Sequence, residues 1–426
     1  MELETGVLVD VLLALGAALV MSFAATPIIK LFAQKVGAMD VPNEARRVHD
    51  HPIPRMGGLA IFLGFIFSVV LFGAITPQVQ GILLGTVVIV AVGAIDDVVP
   101  LSWWVKLLAQ LAAAVVAVLH GVVIENFMNP IVFDNNVVLH LGFLSVPITV
   151  FWIVAITNSV NLIDGLDGLA AGVSTISGVT MLVIALMVAD ATVAVLLAAL
   201  VGACIGFLPY NLNPAKIFMG DTGALLLGYV LSTASILGLF KFYAVVSFAV
   251  PFLVLAVPLF DTVFAFVRRV LTGKNPMKPD RGHFHHRLLD MGLTQKQAVA
   301  VLYVISAFLG LAAVVLTTSG ELKALILIAA FIAALVIAGF LMRSSLRAHE
   351  AAEKAAADAR SAEDAPAEAD PRLPCVKGGA TPENPNRSPE KRVRFGEEEG
   401  AEAERSFRTE AGNGADEASS DDGGAL

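Results

Sequence analysis

Eleven long apolar runs follow one another through the first 342 residues, and they constrain the fold more than any other feature of this sequence. A helix needs about 20 mostly apolar residues to cross the hydrocarbon core of a bilayer. Because lipid offers no partner for backbone N–H and C=O groups, such runs form helices in a membrane. The sequence therefore predicts an all-α, polytopic membrane protein, with spans at approximately 6–29, 57–76, 79–95, 103–121, 142–159, 169–189, 191–208, 222–240, 244–267, 298–318 and 321–342.

Composition points to the same class of protein. The 426 residues are 57% hydrophobic and only 15% charged, and the mean hydropathy is +0.78. Soluble domains are usually about one quarter charged, so a soluble fold is disfavoured. The first apolar run follows Glu2 and Glu4 instead of the basic segment of a signal peptide, and it is interpreted as a true span.

The C-terminal segment differs from the rest of the chain and supplies most of the formal net charge of −9. Residues 346–426 are rich in Ala, Glu, Asp, Gly and Pro and poor in large apolar side chains. A segment of this kind cannot bury enough apolar surface to fold. We therefore expect a transmembrane domain at 1–345, which carries the chemistry, and a disordered, acidic cytoplasmic tail at 346–426.

Basic residues indicate the orientation in the membrane. Lys and Arg concentrate in alternate connections, above all near 30–55 and 268–297, whereas the opposite connections hold only Lys241 and Lys323. The positive-inside rule then places the N-terminus outside and the tail in the cytoplasm. The longest outer connection, about 121–145, alternates apolar and polar residues around Asp134-Asn135-Asn136, which predicts a small β-hairpin on the outer face.

Five aspartates lie at the ends of apolar runs on the predicted cytoplasmic side. Desolvating a carboxylate is costly, so acids beside lipid usually have a function. Magnesium commonly takes one or two carboxylates together with phosphate oxygens. If the loops meet in space, the sequence predicts a single magnesium and phosphate site from Asp96, Asp97, Asp164, Asp167 and Asp221.

Each of these acids also has a simpler explanation. Asp96 and Asp97 could be an ordinary solvated pair at a helix end, and Asp221 could cap the helix that follows it. Asp164 and Asp167 could lie near a helix N-terminus for the same reason. Capping alone needs one polar residue, whereas the segment from Asn158 to Gly168 has several, and this favours a functional site.

A histidine-rich segment lies in the most basic predicted loop. Arg281, His283, His285 and His286 fall within six residues. Zinc usually needs a fourth ligand or more widely separated ligands. The flanking Arg residues favour a diphosphate or sugar phosphate instead, with a merely solvated basic loop as the alternative.

Four motifs together carry a family resemblance. They are Asp96-Asp97, the segments 158–168 and 211–223, and His283-Phe284-His285-His286. In this order they resemble the polyprenyl-phosphate N-acetylhexosamine-1-phosphate transferase family (glycosyltransferase family 4). The His-Phe-His-His pattern and the segment Pro52 to Gly58 are similar to the GlcNAc-1-phosphate branch. The alternative branch is the phospho-N-acetylmuramoyl-pentapeptide transferase of peptidoglycan synthesis.

The resemblance implies a reaction between a soluble and a lipid substrate. GlcNAc-1-phosphate would pass from UDP-GlcNAc to undecaprenyl phosphate, with release of UMP, as the first membrane step of teichoic acid or another surface glycan. The cofactor would be magnesium, with manganese as the alternative ion. The enzyme would lie in the bacterial plasma membrane with a cytoplasmic active site. By the resemblance it would form a homodimer, and it would have no nucleic-acid partner.

The resemblance also implies roles for individual residues. Asp221 and Asp164 would bind the metal, and Asp164 would also be a catalytic residue. Asp96 would accept the proton of the lipid phosphate, with Asp97 organising metal and phosphate and Lys106 near the phosphates. The nucleotide pocket would be lined by Asn161, Asp167, Asn211 and Phe218, and the donor's sugar and diphosphate would contact Arg281, His283, His285 and His286.

An ion-coupled transporter is the competing hypothesis from another class of protein. Transporters usually place their charged residues near the bilayer midplane, along a pathway. Here the motif acids lie at the ends of apolar runs on one predicted face, and only Asp261 falls well inside a run. That distribution favours the transferase.

Overall fold

The computed structural model describes residues 5–41, 52–128, 138–238, 246–273 and 283–319, with a few further positions between 323 and 332. Within these ranges the chain forms helices α1 Thr5–Val36, α2 Gly58–Phe72, α3 Pro77–Val98, α4 Trp103–Leu119, α5 Ser145–Ile163, α6 Leu169–Met187, α7 Ala191–Asn211, α8 Gly220–Gly238, α9 Val246–Val254, α10 Ala256–Leu271, α11 Phe284–Asp290 and α12 Gln295–Ser319. Strands β1 Met39–Asp40 and β2 Ile53–Pro54 form one small sheet, and β3 Asn126–Met128 and β4 Val138–His140 form another.

Seven helices in the described part are long and apolar enough to cross a membrane. They are α1, α3, α5 with its preceding 3-10 turn, α6, α7, α8 and α12, while α2 and α4 are shorter apolar helices. A mostly helical fold with seven candidate membrane spans in the described residues is therefore confirmed. Eleven spans and the orientation stay predictions, since the span at 321–342 and the tail at 346–426 lie largely or wholly outside the described residues.

The predicted ninth span, 244–267, is instead two helices that meet at Leu255. Pro258 has no N–H to donate to the carbonyl of Val254, so the helical hydrogen bond between these two residues is missing at the break. The freed Val254 carbonyl accepts a hydrogen bond of 2.8 Å from the Ser177 hydroxyl of α6. The break in this apolar run therefore has a polar partner on a neighbouring helix.

A β-hairpin is present in the connection where one was predicted, and its place on the outer face stays a prediction. β3 pairs antiparallel with β4, and Asn126 lies opposite His140. The predicted strand at 132–133 and the turn at 134–136 lie outside the described residues. The sheet of β1 and β2 was not predicted, and it fixes the backbone immediately before Arg55.

Helix α8 is the centre of the bundle. Every residue of α8 except Asp221 is buried, and it packs against α2, α3, α5, α6 and α7. In contrast, 22% of the most apolar 18-residue segment of α1 is buried, whereas 94% of the corresponding segment of α8 is buried. A helix that is apolar and buried on all sides belongs to the core, and one with an exposed apolar surface suits a lipid-facing position.

Small residues allow two helices to approach the first turn of α8 closely. A Cβ on Gly58 of α2 would lie 2.1 Å from the backbone nitrogen of Gly223. A Cβ on Gly93 of α3 would lie 2.6 Å from the Cα of Thr222. Such contacts between backbones are how membrane helices gain packing energy. The start of α8 is thus held between α2 and α3.

Gly58→Ala should lower the thermal unfolding midpoint of the detergent-solubilised protein, because the added methyl group has no space against Gly223. Overpacking of this kind typically costs about 1–3 kcal/mol. Gly16→Ala in α1 is the matched control, since nothing lies within 4 Å of the position its Cβ would take. Equal midpoints for the two variants would contradict this packing of α2 on α8.

Candidate active site

Asp97 anchors the N-terminus of α8 from the last turn of α3. Its carboxylate accepts hydrogen bonds from the backbone N–H of Asp221 at 3.0 Å, from the backbone N–H of Thr222 at 3.2 Å and from the Thr222 hydroxyl at 2.6 Å. The Asp97 side chain is 0% exposed. The first N–H groups of a helix need acceptors, and here another helix supplies the capping carboxylate.

Gly220 makes this arrangement possible. It has a φ of +72°, and a Cβ there would lie 2.3 Å from Oδ2 of Asp97. A side chain at this position would be strained and would also displace the capping carboxylate. The glycine therefore lets the α8 N–H groups reach Asp97.

Lys106 joins two of the other predicted acids. Its Nζ lies 2.8 Å from Oδ2 of Asp221 and 3.0 Å from Oδ2 of Asp96. The second oxygen of Asp96 accepts a hydrogen bond of 2.7 Å from the backbone N–H of Leu101. Lys106 in the first turn of α4 thus connects the end of α3 with the start of α8.

Arg55 adds a second cation, which the predicted set of site residues omitted. Its guanidinium lies 3.7 Å from Oδ1 of Asp97, 3.9 Å from Oδ1 of Asp221 and 3.9 Å from Oδ1 of Asp40. These distances are long for direct hydrogen bonds, and the side chain is 31% exposed. The guanidinium therefore keeps donor capacity for an anionic ligand. The sequence signal was a lone basic residue before Gly57 and Gly58.

Backbone pairing places Arg55 at the site. The N–H of Phe218 donates to the carbonyl of Pro54 at 2.8 Å, and the N–H of Gly57 donates to the carbonyl of Phe218 at 2.9 Å. The segment before α2 therefore runs beside the segment before α8. Phe218 itself is half-buried at this junction. Its place in the nucleotide pocket stays a prediction.

Asp164 directly follows α5, and it lies close enough to the cluster for the charges of Asp221 and Arg55 to act on it. Burial raises the pKa of Asp164 to about 7, and the charge of Asp221 acts in the same direction, while Arg55 opposes the shift. A nearby cation would favour the charged form and reverse this shift. Asp96, Asp97, Asp164 and Asp221 are thus brought together from α3, α5 and α8.

The donor set of this cluster suits a hard cation. In the part of the chain that the structure describes, no three His, Cys, Asp or Glu side chains form a ready-made metal cage. Magnesium does not require one, since it commonly takes one or two carboxylates plus phosphate oxygens and water. Asp221 and Asp164 fit that requirement as ligands.

Asp167 and Asn211 make hydrogen bonds that shape the loop before α8. Oδ2 of Asp167 accepts from the Asn213 amide at 2.9 Å and from the backbone N–H of Ala215 at 3.0 Å. The buried Asn211 amide donates to the carbonyl of Ile217 at 3.1 Å. Both residues therefore have protein partners, and their predicted contacts with the nucleotide stay predictions. Asn161 is half-buried in the last turn of α5, and its role also stays a prediction.

The histidine segment forms a second cluster beside the first. His285 is 3% exposed, and a Cβ on Gly165 would lie 2.5 Å from its Nε2, so the imidazole packs against the loop that carries Asp164. Burial, with the nearby His286, lowers the pKa of His285 to about 4, which makes it neutral near pH 7. The rings of His285 and His286 are 4.4 Å apart. Arg281 lies outside the described residues.

Asp261 also belongs to the histidine cluster, although it was not among the predicted site residues. The sequence left open whether it pairs with Arg268 or Arg269 or borders the site. In the structure its Oδ2 lies 2.9 Å from Nδ1 of His283. The signal in the sequence was an acid inside an apolar run.

A cavity of about 330 Å³ adjoins the histidine cluster. Most of its wall is apolar and comes from α10 and α12, with Ile163 and Leu169 from the neighbouring helices. Asp261, His285 and Arg287 supply the polar part of the lining. The cavity thus combines an apolar body with a few polar groups, as ligand sites often do.

Asp97→Ala should lower the unfolding midpoint more than Asp221→Ala does. The first change leaves two backbone N–H groups and one hydroxyl without their acceptor, each at a cost of about 1–3 kcal/mol. The second removes a side chain that is 14% exposed and leaves Lys106 paired with Asp96. Thermal unfolding of both variants in detergent checks this order. A larger loss for Asp221→Ala would show that Asp97 is not the anchor.

Known proteins are similar in sequence to this chain over about two thirds of its length. The chain is 44% identical over 295 residues to the probable undecaprenyl-phosphate N-acetylglucosaminyl 1-phosphate transferase of Bacillus subtilis (strain 168), covering 69% of this chain and 81% of that protein. It is 36% identical over 326 residues to the decaprenyl-phosphate N-acetylglucosaminephosphotransferase of Mycobacterium tuberculosis (strain ATCC 25618 / H37Rv), covering 68% and 78%.

A more distant relative extends the match. The undecaprenyl-phosphate alpha-N-acetylglucosaminyl 1-phosphate transferase of Escherichia coli (strain K12) is 27% identical over 340 residues, which cover 78% of this chain and 92% of that protein. The sequence profile of glycosyl transferase family 4 matches residues 79–239, the stretch from α3 to the end of α8. These matches confirm the resemblance inferred from the motifs, including the branch. The chain therefore belongs to glycosyl transferase family 4 and is a multi-pass membrane enzyme that transfers a glycosyl 1-phosphate group.

Proposed function

We propose that the enzyme transfers GlcNAc-1-phosphate from UDP-GlcNAc to undecaprenyl phosphate, with release of UMP. The observation that carries this proposal is the cluster in which Lys106 bridges Asp96 and Asp221 at 3.0 and 2.8 Å, with Arg55 beside it. The names of the relatives support a polyprenyl phosphate acceptor and an N-acetylglucosamine phosphate donor.

The reaction exchanges one phosphoanhydride bond for another. An oxygen of the lipid phosphate attacks the phosphorus next to the sugar, and the bond from that phosphorus to the bridging oxygen breaks. UMP leaves with the electron pair, and the product is a lipid diphosphate sugar. A phosphate monoester has a second pKa near 6, so the attacking phosphate is mostly dianionic at pH 7. The enzyme therefore has to bring anions together more than it has to remove a proton.

The cations of the cluster meet that requirement. Lys106 and Arg55 lie where they can exchange their carboxylate partners for phosphate oxygens, and their charges lower the repulsion between the two substrates. Bound magnesium, held by Asp221 and Asp164, would supply further charge neutralisation for the diphosphate.

The contacts of the two adjacent acids support different roles for them. Both oxygens of Asp97 are engaged by the start of α8, so Asp97 positions Asp221. Asp96 is 8% exposed and bonded to Leu101 and Lys106. These contacts support Asp96 as the group that takes any proton left on the lipid phosphate. Its position beside Lys106 would keep that proton close to the reacting phosphates.

In this proposal the aspartate cluster binds the reacting phosphates, and the histidine cluster binds the donor. His283, His285 and His286 adjoin the loop of Asp164, and we assign them to the donor's diphosphate and sugar, together with Arg281. Because one substrate is a soluble nucleotide, the site should face the cytoplasm of a bacterial cell. The product would then begin teichoic acid or another surface glycan.

Purified protein should release UMP when it is incubated with undecaprenyl phosphate, magnesium and UDP-GlcNAc. A parallel reaction with UDP-MurNAc-pentapeptide tests the alternative branch, since turnover only with that donor would replace the proposed one. Omitting magnesium and then adding manganese tests the cofactor. Absence of UMP with every donor would contradict the proposed function.

Asp96→Asn and Asp221→Asn should each reduce kcat by at least about 100-fold, the scale for groups that transfer protons or stabilise charge. Asp190→Asn is the control, because Asp190 caps α7 with a bond of 3.1 Å to Val193 and has no place in the proposed site. The measurement is UMP release at saturating substrates. Near-normal rates for both site variants would show that the cluster is not the catalytic centre.

A further inference from the structure

Asp261 is a buried acid for which the proposed reaction has so far supplied no task. It lies in α10, the helix that begins after the break at Leu255, and it is 6% exposed. Oδ2 of Asp261 lies 2.9 Å from Nδ1 of His283, and Oδ1 accepts a hydrogen bond from the backbone N–H of Phe284 at 2.5 Å. Both oxygens of this carboxylate are therefore engaged by two consecutive residues.

This pair of contacts fixes the position and the orientation of one imidazole. The bond to Phe284 holds the backbone at the start of α11, and the bond to Nδ1 sets the rotation of the His283 ring. A carboxylate accepts only from a nitrogen that carries hydrogen, so Nδ1 is the protonated nitrogen and Nε2 is left for another partner. Histidines at working sites commonly have their second nitrogen held in this way.

The ring so fixed belongs to an ordered stack. The rings of His283 and His285 are nearly parallel, with an interplanar angle of 11° and centroids 5.7 Å apart. His285 in turn packs against Gly165 in the loop of Asp164. A change in the rotation of the His283 ring would therefore change which atoms of the histidine cluster can contact a ligand.

We propose that Asp261 is a positioning residue, which orients His283 so that Nε2 contacts the UDP-sugar donor. The inference rests on the proposed function, since it assigns the histidine cluster to the donor. Asp261 acts through His283 and does not itself contact a substrate. Its contribution should therefore appear in donor binding and disappear when His283 is removed.

Asp261→Asn tests the first part of this inference. The amide keeps the volume but has only one oxygen, so it cannot accept from both the ring and the backbone N–H. We expect kcat/KM for UDP-GlcNAc to fall about 10- to 100-fold, the scale for partners that hold a working histidine. The change should lie mainly in the donor KM, with the KM for undecaprenyl phosphate unchanged. Asp190→Asn, another aspartate that accepts from a backbone N–H, is the matched control and should match the wild type.

A double variant tests the second part. In a His283→Gln background, Asp261→Asn should change kcat/KM by less than about 2-fold, because residues that act through one contact are not additive. Additive losses, or equal losses for both substrates, would overturn the inference. Asp261→Glu retains a carboxylate and should lie between the wild type and Asp261→Asn. If neither Asp261 variant folds, the residue has only a structural role and the inference is wrong.

UMP release by the wild type shows whether a negative result concerns only the positioning role of Asp261 or the proposed function on which that role rests. If the wild type releases UMP from UDP-GlcNAc and Asp261→Asn has normal kinetics, only the positioning role fails. If the wild type releases no UMP with any donor, the proposed function fails, and the positioning role for this donor fails with it.

Discussion

The buried carboxylate of Asp97 holds the start of α8, and the rest of the site depends on that contact. The start of a helix presents N–H groups without acceptors, and leaving them unpaired inside a membrane protein is costly. Here the acceptor comes from α3. Gly58 of α2 and Gly93 of α3 lie so close to the backbone of α8 that a side chain at either position would not fit. Asp221 follows directly, and its side chain is thereby fixed beside Lys106.

Charge balance explains how several carboxylates can share a small volume in such an apolar protein. Lys106 lies between Asp96 and Asp221, and Arg55 lies near Asp40, Asp97 and Asp221. Without those cations, close carboxylates would repel each other and favour protonation. In the proposed reaction, the carboxylates would bind a cation, and Lys106 and Arg55 would bind the phosphate groups of the substrates.

Sequence reasoning predicted the helical membrane fold and the meeting of the acidic motifs, because both follow from local patterns. Apolar runs define helices wherever they occur, and the positions of Asp96, Asp164 and Asp221 at run ends are visible directly. The division of labour was not visible, since Asp97 and Thr222 are 125 residues apart and only the packing of α3 on α8 joins them. The roles of Arg55 and Asp261 also depend on tertiary contacts. Pro258, in contrast, was a local signal for the break before α10, and the long apolar run around it concealed that signal.

The central claim is that Asp97 acts through Asp221 and not by contacting a substrate. A double-mutant cycle on kcat/KM, with Asp97→Asn and Asp221→Asn singly and together, tests it most directly. If Asp97 only positions Asp221, the double variant should be within about 3-fold of Asp221→Asn alone, because coupled residues do not add. Losses that multiply in the double variant would show that Asp97 has an independent role in the reaction, and they would contradict this account.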